Sequence, residues 1–200
     1  FVCVGGSWTL EGGSNGTAAL NGTVETAGDA SIAGSANITA GSSLKIGGNA
    51  VVNGALSLAS GSSATINGTA TIKGNLELSG GAAAVVAGDA HIQGSVALSS
   101  GSSAKISGNA DISGAFTLGA NSSATIQGSV SITGKLAVSN GGAFVVAGAA
   151  NLTQGLDTSS ASTVSFGGRA TVAGPVNLGQ GSQVVVNSGG DFSGSLVAPN

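Results

Sequence analysis

The chain has 200 residues, 37 of them Gly, with 6% charged residues, 3% aromatics and a formal net charge of −3. A soluble domain is ordinarily about a quarter charged, so an ordinary helical or α/β enzyme is disfavoured, and an apolar content of 41% disfavours disorder. Two prolines without a glycine at every third position exclude collagen, five basic residues offer no footprint for nucleic acid, and no run approaches the ~20 apolar residues of a membrane span.

From the N-terminus, residues 1–20 (FVCVGGSWTLEGGSNGTAAL) fit the later pattern only loosely and predict an irregular first rung or a cap. The segment carries the single cysteine, Cys3, which rules out an internal disulfide; it either pairs with another chain or is a small buried residue. The chain starts at Phe1 and contains no signal peptide, as expected of a processed protein or a segment of something longer. From about Asn21 to Asn200 a 20-residue repeat takes over, predicting one continuous unit over 21–200. Residues 41–60 read GSSLKIGGNAVVNGALSLAS, 61–80 read GSSATINGTATIKGNLELSG and 101–120 read GSSAKISGNADISGAFTLGA.

Each repeat follows approximately S-x-A-x-I-x-G-x-A-x-I-x-G-x-L-x-L. Alternation of this kind predicts β-strand, because successive side chains point to opposite faces. Parity extends the test to the whole chain. Every Ile, Leu and Trp is even-numbered, as is every Phe except Phe1, while all charged residues and His91 are odd-numbered. Even positions therefore face inward, odd positions outward, and the turns conserve that phase.

Glycines punctuate the repeat. One column runs Gly28, Gly48, Gly68, Gly88 and on to Gly168; a second runs Gly34, Gly54, Gly74 and on to Gly194, interrupted at Gln154. Two such corners and a third at the repeat junction divide 20 residues into three short sides. Gly is expected there for unusual φ/ψ and for room to bend the chain over the core. The prediction is an all-β, single-stranded, three-sided (triangular) β-solenoid of about nine to ten rungs, roughly 45 Å long at about 4.8 Å per rung. The first side stacks Leu44, Ala64, Ala84 and Ala104 with Ile46, Ile66, Val86 and Ile106. The second stacks Ala50, Ala70 and Ala90 with Val52, Ile72 and Ile92, and the third Leu56, Leu76 and Val96 with Leu58, Leu78 and Leu98. Distortion is expected at residues 151–160, where Gln154–Gly155 displaces the glycine and Thr158 replaces an inward aliphatic. A weaker 60-residue period overlies the 20, reflecting duplication of a three-rung block or a lateral contact recurring about every 14 Å.

The six-residue sides phrased G-x-A-x-I-x and G-x-L-x-L-x resemble bactofilins. The resemblance covers most of 21–200 and implies a triangular right-handed β-helix that stacks end to end into filaments without nucleotide. The chain departs from that family in having more Ala, Gly and Ser and fewer charges, and it resembles equally the repeat stalks of secreted adhesins and surface fibres.

In the predicted grid, residues 20 apart are neighbours. His91 comes next to Asp111, a solvated polar pair or the start of a weak metal or acid/base site, and Glu25 stacks on Lys45 as an outward ion pair. No catalytic constellation, phosphate loop or Cys/His metal set is found, so no enzyme activity, metal or cofactor is expected. Six N-x-S/T sequons, at Asn15, Asn21, Asn37, Asn67, Asn121 and Asn151, all have outward parity and are candidate glycosylation sites. Inward residues of the terminal rung, Val184, Val186, Phe192 and Leu196, with Trp8 at the other end, are candidate axial contacts. The sequence thus predicts a structural repeat protein of an extracellular or cell-surface fibre, joined end to end to another copy of itself or to the rest of a longer parent chain, with glycans as a further candidate partner. The alternative is a binding module, an adhesin stalk or an ice-binding solenoid, although Lys45 and Lys105 interrupt the column Lys45, Thr65, Val85, Lys105, Thr125, Val145, Ser165, Val185 that would form an ice-binding array.

Overall fold

In the computed structural model, described for residues 2–6, 8–10 and 17–199, thirty strands of two to four residues follow one another without an intervening helix. Every third strand joins the same sheet, giving three sheets of ten parallel strands. Sheet A rises from β1 (Val2–Val4) through Thr23–Thr26 and Ser43–Ile46 to Gln183–Val186. Sheet B rises from β2 (Trp8–Leu10) to Gly190–Phe192, and sheet C from β3 (Thr17–Leu20) to Leu196–Val197. The chain passes once through A, B and C per rung. This is the all-β, three-sided solenoid that the parity predicts, built from about nine turns.

From Thr23 onward the register is a constant 20 residues: Thr23 lies opposite Ser43, Ala70 opposite Ala90 and Val176 opposite Leu196. The first rung departs from it. Val2 pairs with Val24 and Trp8 with Ala30, a spacing of 22, whereas Thr17 pairs with Ser35, a spacing of 18. The compensation falls in the link from β3 to Thr23–Thr26, two residues long where the link from Ile38 to Ser43 has four. Residues 11–16 of this segment, expected to be irregular, lie outside the described residues.

Between Leu20 and Val176 every buried residue is even-numbered, with one exception. That exception is Gly155, next to the gap in the second glycine column. There the phase slips by one: Gln154 is exposed, Gly155 is buried at φ +103°, and Leu156 is back in register opposite Leu136. The distortion expected at this corner is confined to it, because the ladder bonds on either side hold the next strand in place.

The core is one continuous column of aliphatic side chains. Where alanines stack, at Ala64, Ala84 and Ala104, the interior is underfilled and leaves a void of about 20 Å³. In the same column Phe144 replaces alanine and packs edge-on against Phe116 at 5.0 Å and Phe166 at 6.4 Å, a favoured aromatic geometry.

The corner glycines require a correction. No glycine of either column has a positive φ. What the columns need is the absence of a Cβ. A Cβ on Gly108 would lie 2.7 Å from both the carbonyl carbon and oxygen of Gly88 in the rung below, and Gly108 N–H donates to that oxygen at 3.0 Å. The stacked corners approach so closely that only hydrogen fits. Left-handed backbone is found instead at the third corner, at Gly61, Gly101 and Asn121 among others.

Candidate functional site: the open rung and the outward faces

Within the stack, each inward side chain is covered by the rung above it. The last rung has no such cover. Phe192 lies in register over Val172, and Leu196 over Val176. Val172 is 0% and Val176 4% exposed, whereas Phe192 is 46% and Leu196 69% exposed. Val184 and Val186, stacked on the buried Val164 and Phe166, are only half-buried. The Phe192 ring lies against Gly190, at a position that is Ala30, Ala50, Ala70 or Ala90 in earlier rungs, so the missing methyl makes room for it. Among the described residues, the upper edges of Gln183–Val186, Gly190–Phe192 and Leu196–Val197 carry no further strand. These four predicted axial residues therefore share one open apolar face bordered by unpaired strand edges. At the other end, β2 places the Trp8 backbone opposite Ala30; the Trp8 side chain lies outside the described residues, as do Asn15 and the side chain of Cys3.

The outward faces carry the charges. His91 Nδ1 and Asp111 Oδ2 are 3.1 Å apart on neighbouring strands of sheet B, both largely exposed, as a solvated pair would be. Glu25 and Lys45 are register partners, as expected, but no salt bridge joins them. The sequence reading misses two ion pairs: Lys135 with Asp157, and Arg169 with Asp191, where Arg169 Nε donates to Asp191 Oδ2 at 3.1 Å. Each pair is separated by one rung plus two residues, the diagonal neighbour on a sheet face. That 22-residue spacing was the available signal. Such exposed pairs contribute below about 1 kcal/mol each.

A hydrogen-bonded ladder runs up the corner between sheets A and B and was not anticipated either. Asp29 Oδ1 accepts from Asn49 N–H at 2.6 Å, Asn49 Oδ1 from Thr69 N–H at 2.8 Å, Asp89 Oδ1 from Asn109 N–H at 2.7 Å and Asn109 Oδ1 from Ser129 N–H at 2.9 Å. Each short polar side chain thus satisfies a backbone donor of the next rung. Buried serines serve the third corner: Ser62 Oγ donates to Ala59 C=O and Ser102 Oγ to Ser99 C=O, both at 2.6 Å. The short polar residue after each first-column glycine from Gly28 to Gly128, recurring every 20, is the legible sign of the first ladder.

The sequon asparagines Asn21, Asn37, Asn67, Asn121 and Asn151 are all exposed, so their side-chain amides face solvent. Among the described residues no group of three or more His, Cys, Asp and Glu side chains converges, and no helix is long and apolar enough to cross a membrane. A shallow trough of about 430 Å³ crosses the outward face of sheet B between Asp111 and Arg169, lined there by Ser131 and Asn151. No protein family, curated protein or solved structure matches the chain.

Proposed function

We propose that this chain is a structural solenoid module acting by axial continuation, its open rung covered by a further β-solenoid rung from a second copy or from more of the same polypeptide, in an extracellular or cell-surface fibre. The observation that carries the reading is the contrast between neighbouring rungs: Val172 and Val176 are sealed, whereas Phe192 and Leu196 directly above them are not. Covering Phe192 and Leu196 is worth roughly 1.5–3 kcal/mol for each side chain, and pairing three strand edges satisfies a row of N–H and C=O groups. The constant 20-residue register makes the upper surface of one rung a template for the next. The architectural resemblance to bactofilins and to adhesin stalks supports the same role, a shape-bearing rather than catalytic one. The exposed sequon asparagines support an extracellular setting in which they carry glycans.

Electron microscopy and sedimentation of the full chain test the reading. Expected are elongated assemblies with a ~4.8 Å axial repeat, which Phe192→Lys with Leu196→Lys shortens to single rods of unchanged β-sheet circular dichroism. A wild-type chain that stays an 18.4 kDa monomer at high concentration overturns continuation by a second copy, and a longer polypeptide whose next segment leaves Phe192 and Leu196 exposed overturns the remainder.

A further inference from the structure

The 60-residue period has a spatial counterpart on two outward columns. Along the middle of sheet A run Lys45, Thr65, Val85, Lys105, Thr125 and Val145, a triplet repeated twice in register. Along the corner between sheets A and B run Asp29, Asn49, Thr69, Asp89, Asn109 and Ser129, an Asp-Asn pair recurring every three rungs and followed by a hydroxyl residue each time. Lysines in the first column and aspartates in the second are therefore both three rungs apart, about 14 Å. No carboxylate lies within salt-bridge distance of Lys45 or Lys105 among the described residues, and both lysines are exposed. Asp29 and Asp89 commit Oδ1 to the corner ladder, leaving Oδ2 free of protein partners among the described residues. Val85, between the lysines, and Val145 and Val185, above Lys105 in the same column, are exposed apolar side chains.

We propose that sheet A of one rod docks laterally on the A–B corner and adjoining sheet B of a second copy of this chain, parallel and one rung out of step, so that Lys45 meets Asp29 and Lys105 meets Asp89. A single stagger matches the six rows from Lys45 to Val145; beyond them Ser165 meets Ala149 and Val185 meets Arg169. Thr65 and Thr125 then face Asn49 and Asn109, and Val85 and Val145 face the methyl of Thr69 and the small Ser129. The antiparallel arrangement also matches the charges, but it sets Val85 against Asn49, an apolar group against a hydrogen-bonding amide. Parallel docking is therefore the arrangement that all three row types select. The contact is heterologous, using different surfaces on the two copies, so each rod keeps a free sheet A or a free corner for the next and association propagates sideways. Electrostatic matching of this kind sets register and partner orientation and weakens with salt. It uses the faces of the rod, so it stands independently of the axial reading.

The test is zero-length carbodiimide cross-linking of the full chain, mixed as isotopically light and heavy copies, with the joined peptides identified by mass spectrometry. Expected are mixed-isotope Lys45–Asp29 and Lys105–Asp89 links that disappear between about 0.02 M and about 0.5 M salt. By sedimentation, lateral association should weaken about tenfold or more in Lys45→Glu with Lys105→Glu, where attraction becomes repulsion. It should weaken likewise in Asp29→Asn with Asp89→Asn; Asn49 and Asn109 already make the same ladder bond, so the corner survives and circular dichroism stays unchanged. Mixed-isotope Lys45–Asp89 links, absence of mixed-isotope links at low salt, or association indifferent to both double substitutions overturns the proposal. Axial joining is read separately, from filament length and the Phe192 and Leu196 substitutions.

Discussion

Gly108→Ala in the first glycine column should destabilise the rod far more than Gly101→Ala in the third corner, though both add one methyl group. At Gly108 the new Cβ would lie 2.7 Å from the Gly88 carbonyl carbon and oxygen and 2.3 Å from Asp89 Oδ1. Ordinary contact begins near 3.5 Å, so the two rungs must part by about 0.8 Å. That gap is bridged by Gly108 N–H to Gly88 C=O at 3.0 Å and by Asn109 N–H to Asp89 Oδ1 at 2.7 Å. Parting stretches both toward or past the limit of useful bonding. One neutral and one charge-assisted bond weakened in this way, with the local overpacking, cost about 2–4 kcal/mol. At Gly101 nothing lies within 4 Å of the added Cβ, and only the φ of +77° is unfavourable, at about 1 kcal/mol. Urea unfolding of the full-length variants gives the comparison. Hydrogen exchange should locate the Gly108→Ala effect at the amides of Gly108 and Asn109, since rungs of a solenoid contact only their neighbours. A Gly101→Ala loss equal to or larger than that of Gly108→Ala would refute the claim that close stacking, not φ, demands glycine in the column.

Ala161 occupies the third corner at φ +59°, so Ala161→Gly should raise stability by about 0.5–1 kcal/mol, seen as a higher urea midpoint. Phe144→Ala removes a fully buried ring that contacts both Phe116 and Phe166; a loss of about 3–5 kcal/mol is expected from equilibrium unfolding. Asp89→Ala should cost about 1 kcal/mol by deleting the acceptor for Asn109 N–H, whereas Asp89→Asn should be near neutral in the same assay. Equal effects of the two Asp89 substitutions would show that the ladder bond contributes nothing.

Period and parity are legible in the order of the residues alone. Because the strands stack in parallel at a constant offset, a 20-residue period in sequence becomes a column in space. The burial of Ile66, Ile72 and Leu78, the exposure of Lys105 and the adjacency of His91 and Asp111 all follow from counting. The open apolar end was legible for the same reason, since Phe192 and Leu196 keep inward parity in the last rung. Counting along one column said nothing about diagonals, so Lys135–Asp157 and Arg169–Asp191 were missed. It also paired Glu25 with Lys45 where the side chains form no salt bridge, because register brings backbones together while long exposed side chains choose among several partners.

Glycine is where tertiary structure decided most. A recurring Gly in sequence is compatible with a left-handed backbone or with close approach, and the two leave the same letter. Only the stacked rungs distinguish them: Gly108 is held by the Gly88 carbonyl beneath it, Gly101 by its own φ. Likewise the one-residue slip at Gly155 is absorbed within a single corner because the ladder to Leu136 restores the register at Leu156. The sequence by itself therefore determined which side chains face inward and which rungs neighbour one another, a matter of covalent period and pleat. The structure alone decided how closely the corners pack and which outward side chains meet, because those depend on distances of tenths of an ångström that no periodicity carries.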